Sequence, residues 1–201
     1  QLGYGDRLNI KKLATEFKVS AMPIRDAIKR LEQEQIVVVS PRSQCYVRVP
    51  RKQEILDAID ARRMIERFAV ESIYAHVRLE QLSALDEIVS AMRRVAECDR
   101  NDESCIYEYV ELDRRYHYEL CSLTQNEYVT SFHRAVNRHL SMSFSYGLGA
   151  CHGIDATLAE HEAIVDHLRA HSREALAVLD MHLQRSRQNI VREPTFLELP
   201  D

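Results

Sequence analysis

Tryptophan is absent from this 201-residue chain, and glycine and proline occur only five times each. Those two residues punctuate regular structure, so their scarcity favours long helices over a many-turned β fold. No apolar run approaches the roughly 20 residues of a membrane helix, and no signal-peptide pattern is visible. Five cysteines stand at 45, 98, 105, 121 and 151, an odd number without a Cys-x-x-Cys pair. That spacing argues against a disulfide framework or a zinc ribbon. The expectation is reduced, half-buried thiols in a cytoplasmic protein. Glu-x-x-His, which a di-iron helical bundle needs on two helices, occurs nowhere.

What is present is divided unevenly. Residues 1–50 carry nine Lys or Arg against five Asp or Glu, whereas the remainder carries eighteen against twenty-six. A basic head on an acidic body suits a nucleic-acid reader joined to a domain with a different task, although chance scatter of surface charge gives the same imbalance.

Residues 10–17 predict a short helix with Leu13, Ala14 and Phe17 inward, and residues 18–20 a tight turn with Ser20 as N-cap of a second helix. Pro23 falls in that helix's first turn, where a missing amide hydrogen does little harm. Ile24, Ala27, Ile28 and Leu31 then recur at the spacing of one buried face. This is a helix-turn-helix. Residues 36–39 and 45–49 are rich in β-branched residues around a turn at 41–44, which predicts a hairpin wing. After Pro50 strand signals end, and six helices are expected at about 52–77, 80–98, 102–123, 126–145, 154–170 and 172–193. The expected architecture is mostly α: a winged helix-turn-helix over 1–50, an all-α six-helix bundle over 51–194, and a tail over 195–201.

On the second helix Ala21, Met22, Arg25, Asp26, Lys29 and Arg30 face outward. A recognition helix reads bases with residues near its N-terminus and holds phosphates with its cations. Arg25 is the candidate for a bidentate base contact, with Lys29, Arg30, Lys11 and Arg42 as phosphate anchors. The bland alternative is a solvated face carrying an Asp26–Arg30 pair.

Several polar residues fall on otherwise apolar stripes of the bundle. Asp113 and His117, four apart, share a face with Ile106, Val110 and Leu120, and His161 shares one with Ile154, Leu158, Val165 and Leu168. His182 lies on a stripe with Ala175, Leu179 and Ser186. Buried polar groups need partners. One carboxylate and three imidazoles suit a divalent metal, zinc by default and nickel, manganese or iron otherwise. The same four residues serve equally as hydrogen-bonded lining of a cavity. Arg62 and Glu66 line up with Ile55, Ile59, Ala69 and Ile73, either as an internal salt bridge or with Arg62 gripping an effector carboxylate. His133, in line with Val129, Val136 and Leu140, is a further candidate for the pocket or an ordinary core histidine.

The run Leu13-Ala14 through Val19-Ser20-Ala21-Met22-Pro23-Ile24-Arg25-Asp26-Ala27-Ile28 to Leu31-Glu32 resembles the N-terminal domain of GntR-family bacterial transcription regulators. Arg62-Arg63-Met64-Ile65-Glu66, Asp113-Arg114-Arg115-Tyr116-His117, Glu160-His161-Glu162-Ala163-Ile164 and His182-Leu183 resemble the FadR-type ligand-binding (FCD) domain, in its shorter, six-helix form. The resemblance implies a homodimeric, effector-responsive regulator, by expectation a repressor, on a palindromic double-stranded operator. It also implies a winged-helix helix ahead of Gln1. It makes Asp113, His117, His161 and His182 the metal ligands and a small organic acid the effector. The chain departs from the family in three ways. Ala21 replaces an Arg after the capping Ser, Gln44 replaces the wing-tip Gly and becomes the wing's candidate DNA contact, and His161 and His182 are one residue closer than is common. A degenerate sensor that has lost tight operator binding is therefore the alternative. Catalysis is not expected, because Glu160 stands on a different face from His161 and no general base faces an open metal position.

Overall fold

The computed structural model describes residues 5–40, 44–98, 102–145 and 153–192. The chain divides into two compact units, Gln1–Pro50 and Arg51–Asp201.

In the first unit the elements run β1 (Arg7–Leu8), α1 (Ile10–Glu16), α2 (Ala21–Gln33), β2 (Val37–Val39) and β3 (Cys45–Val47). The sheet has the order β1-β3-β2, antiparallel throughout, with Leu8 opposite Cys45 and Val38 opposite Tyr46. Ile24 and Ile28 of α2 are buried, as are Leu8, Val37, Cys45 and Val47 of the sheet. The wing hairpin closes where the Ser40 amide donates to the Gln44 carbonyl at 2.8 Å. β1 was not expected: two residues are too short to show a period of two.

Two local expectations need correction, and a third holds in position but not in its side-chain bond. Phe17 is 64 % exposed, because α1 ends at Glu16 and Phe17 is its C-cap. Ala27 is also exposed. Ser20 does precede α2, yet its side chain makes no capping bond. A capping hydroxyl accepts from the second or third helical amide, and the third residue here is Pro23, which has none.

The second unit contains α3 (Lys52–Ile73), a 3₁₀ turn (Leu79–Leu82), α4 (Ser83–Ala96), α5 (Glu103–Ser122), α6 (Glu127–Ser145), α7 (Ile154–Arg169) and α8 (Glu174–Arg192). The six helices match those expected, except that α3 stops four residues earlier and the 3₁₀ turn occupies the start assigned to α4. α3 packs on α5, α6 and α8; α4 packs on α5 and α7; α7 packs on α8. Ile73, Leu82, Leu85, Met92, Leu120, Ile164, Leu168, Leu179 and Leu183 form the apolar core between them. Asn9 and Asp102 cap α1 and α5, accepting from the amides of Lys12 and Ser104 at 3.1 and 2.8 Å. No helix among the described residues is long and apolar enough to cross a membrane. Cys45 and Cys121 are buried, Cys105 half-buried and Cys98 exposed, all as free thiols; Cys151 lies outside the described residues.

Candidate functional site

Four helices of the bundle turn charged or titratable side chains into its interior, and a fifth adds a histidine. Arg62 and Glu66 come from α3, Asp113 and His117 from α5, His161 from α7, His182 from α8 and His133 from α6. Glu66, His117, His133 and His161 are fully buried, and His182 and Arg62 nearly so; Asp113 keeps 19 % of its side chain exposed. The donor atoms of Asp113, His117, His161 and His182 all lie within 4.8 Å of one another. His161 Nε2 stands 3.1 Å from His117 Nε2, and Asp113 Oδ1 is 3.7 and 3.6 Å from those two nitrogens. Metal–ligand bonds of about 2.0–2.2 Å set neighbouring donors roughly 3–3.5 Å apart, so these spacings suit a single ion.

The outer nitrogens of two imidazoles are held by carboxylates. His117 Nδ1 is 2.8 Å from Glu66 Oε2, and His182 Nδ1 is 2.9 Å from Glu160 Oε2. Against an ionised carboxylate each Nδ1 is the donor, so the neutral form of each ring carries its lone pair on Nε2. His161 is held differently. Its ring stacks on Tyr116 with centroids 4.0 Å apart, Tyr116 Oη donates to its carbonyl at 3.0 Å, and its Nδ1 is buried without a partner.

Glu66 is the most heavily engaged group. Besides His117 it accepts from Arg62 Nε at 2.6 Å and meets His133 Nε2 at 3.0 Å. Burial opposes its ionisation, but Arg62 and His117 outweigh that and hold its pKa well below the usual range. Asp113 behaves alike: burial opposes ionisation, while His117, His161 and Arg62 keep the carboxyl far down. Burial, with neighbouring histidines, pushes His161 well down; burial also lowers His182 and His133. His117 is raised, since Glu66 and Asp113 overcome burial and Arg62.

Both alternatives for Arg62 have a geometric counterpart. Its Nε is in the internal salt bridge, while Nη2 is buried without a hydrogen-bond partner, 4.0 Å from Asp113 Oδ2. His133 is placed on Glu66, with Nδ1 unpartnered. Glu160 does leave the face of His161, as the next residue on a helix must. It is not remote from the site, however: it turns toward α8 and supports His182 from behind. Sequence reasoning missed this role, and with it Arg185, whose guanidinium reaches both Glu160 oxygens at 2.8 and 2.5 Å. The spacing from Glu160 to Arg185 is 25 residues, and only the α7–α8 packing joins them.

In the first unit Lys11, Arg25, Lys29 and Arg30 are all exposed, the last three along one side of α2. Gln44 is half-buried and its side-chain oxygen accepts from the Tyr46 hydroxyl. Arg42 lies outside the described residues.

Comparison with known proteins agrees with this division. Residues 1–47 match the gntR family of bacterial regulatory proteins, and residues 57–185 match the FCD domain. The chain therefore belongs to the GntR family of transcriptional regulators, in its FCD-containing, FadR-like branch. It is similar to the Nta operon transcriptional regulator of Aminobacter aminovorans, 28 % identical over 137 residues, which are 68 % of this chain and 62 % of that one. The matched part thus falls short of two thirds of that relative's length. An HTH-type transcriptional regulator of Bacillus subtilis, YdhC, is 22 % identical over 171 residues, 85 % of this chain and 75 % of its own. Among solved structures, a GntR transcriptional regulator from Rhodococcus sp. RHA1 superposes with a TM-score of 0.81 at 21 % identity, covering 94 % of this chain and 89 % of that one. McbR/YncC of E. coli gives 0.78 at 17 % identity, covering 95 % and 89 %. At such identities these likenesses establish the fold.

Proposed function

We propose that this regulator is a metal-containing repressor whose operator affinity is set by a small carboxylate effector. The observation that carries the reading is the tetrad: four donors converge within 4.8 Å, with two histidines backed by buried carboxylates. Carboxylate–histidine pairs of this kind fix the ring nitrogen that faces a metal. Asp113, His117, His161 and His182 would hold a divalent ion, with zinc first among nitrogen-and-oxygen choices. Such an ion supplies a Lewis-acidic point of attachment for an anion. Arg62 already neutralises Glu66, so an ion balanced only by Asp113 keeps a positive excess beside the free Arg62 Nη2. A carboxylate suits that pair of features better than a neutral or cationic ligand does.

The first unit supplies the DNA contact: Arg25 toward a base edge, Lys11, Lys29 and Arg30 toward phosphates, and Gln44 beside the wing strand β3. Membership of the family supports a homodimer on a palindromic operator. Met64 and Phe68 of α3 and Tyr128 and Phe132 of α6 support it as large exposed apolar residues on adjacent helices. Phe68→Glu is expected to give a monomer in sedimentation, and an unaltered dimer would place the interface elsewhere. Effector binding shifts operator affinity by the coupling energy it contributes, commonly about 1–3 kcal/mol.

The test is to expose the protein to sheared genomic DNA at moderate salt, with and without candidate carboxylic acids, and sequence what is retained. Discrete fragments sharing a palindrome, released or gained with one acid, are expected. Uniform retention by a folded protein under every condition would leave only a ligand sensor without specific operator binding.

A further inference from the structure

We infer that Glu160 and Arg185 are positioning residues for the metal, and that they tie the His182 ligand to the first turn of α7. The inference rests on the metal reading above and concerns how the site is held. Glu160 Oε2 contacts His182 Nδ1 at 2.9 Å, and Arg185 clasps the same carboxylate through Nε at 2.8 Å and Nη2 at 2.5 Å. A planar fork on both oxygens fixes a carboxylate in orientation as well as position. Arg185 Nη2 also donates to Thr157 Oγ1 at 2.8 Å. Its Nη1 lies against Gly153, the N-cap of α7, where a β-carbon would come within 2.8 Å. Gly153 has φ +89°, and its carbonyl accepts the first helical bond of α7 from Thr157 at 2.8 Å. One guanidinium therefore joins the start of α7, a buried carboxylate on α7 and a ligand on α8.

The two carboxylate supports differ in a way that assigns them different tasks. Arg62, Glu66 and His117 are each no more than 3 % exposed, so that support is locked inside the bundle. Arg185 keeps 23 % of its side chain in solvent, so the His182 support reaches the surface. A change at the N-terminal turn of α7 is transmitted to His182 by displacing Arg185, and metal occupancy is transmitted back by the same route.

The test uses zinc as the probe and the whole chain. Zinc affinity is measured by competition with a chromophoric chelator, alongside the melting temperature of the metal-free protein and amide exchange across residues 154–158. Glu160→Ala is expected to weaken zinc about 10–100-fold. Glu160→Gln keeps an acceptor oxygen for His182 but loses the charge, and should fall between Ala and the wild type. Arg185→Lys cannot span both oxygens and Thr157, so it too should fall between. Zinc should slow exchange at 154–158 in the wild type and not in Arg185→Ala. Gly153→Ala touches no ligand, yet should weaken zinc in the same direction and by less than Glu160→Ala. Wild-type zinc affinity in Glu160→Gln and Glu160→Ala, or zinc-independent exchange at 154–158 in a wild type that does bind zinc, would overturn the inference. A wild type that binds no zinc or other divalent ion would instead remove the metal reading on which it rests.

Discussion

The charged residues of α2 stand in solvent, whereas Arg62 and Glu66 of α3, His117 of α5, His161 of α7 and His182 of α8 are closed inside a bundle. Arg25, Lys29 and Arg30 give up little hydration in the folded chain and contribute little to its stability, so they are available to a partner that brings negative charge. Arg62, Glu66, His117, His161 and His182 have lost their water, and each such group is costly unless something inside replaces it. Most of that replacement is visible: Arg62 and two histidines on Glu66, and Arg185 and His182 on Glu160. The remainder is informative, because Arg62 Nη2 is buried without a hydrogen-bond partner beside the site where four donors converge. An exposed charge identifies a surface by what it is free to touch; a buried one identifies a site by what it still lacks.

Removing Glu66 tests the buried side most severely. Glu66→Ala strips Arg62, His117 and His133 of their shared acceptor, and should destabilise the second unit by about 3–5 kcal/mol in urea titration. A loss below about 1 kcal/mol would mean that Arg62 reaches solvent instead, which its 3 % exposure argues against. Next comes ligand linkage: zinc at 100 times its dissociation constant should stabilise the wild type by about 2.7 kcal/mol and leave His161→Ala unaffected. Equal stabilisation of both would place the ion elsewhere. Arg25→Ala sharpens the exposed side. It should change folding stability by no more than about 0.5 kcal/mol while costing about 1–3 kcal/mol of discrimination at one operator position. The smallest effect belongs to Lys29→Ala, which should weaken binding evenly across sequences and reduce the salt slope by about 1. A change in sequence preference would make Lys29 a base contact.

Much of this organisation is legible in the sequence because it is periodic. Asp113 and His117 sit four apart on an apolar stripe, and Arg62 and Glu66 do the same, so each pair declares its own face. The helix-turn-helix is equally local, being a matter of Ile24, Ile28 and Leu31 after a turn. What periodicity does not carry is which faces meet. The contacts of Glu66 with His117 and His133 span 51 and 67 residues, and that of Glu160 with His182 spans 22. Glu160 stands beside His161 in the sequence rather than beneath it, and it is the α7–α8 packing that turns it toward the site. Ser20 shows the same limit at short range: it holds the N-cap position of α2, but its side chain makes no capping bond, and Pro23 offers no amide at the third position.

Elemental analysis of the purified protein and of His161→Ala, each after exposure to zinc, nickel, manganese and iron followed by gel filtration, decides whether the tetrad holds a metal. Close to one divalent ion per chain is expected in the wild type, with a large loss in the variant. A wild type that emerges without any metal after every reconstitution would contradict that expectation, leaving Asp113, His117, His161 and His182 as a hydrogen-bonded cavity lining.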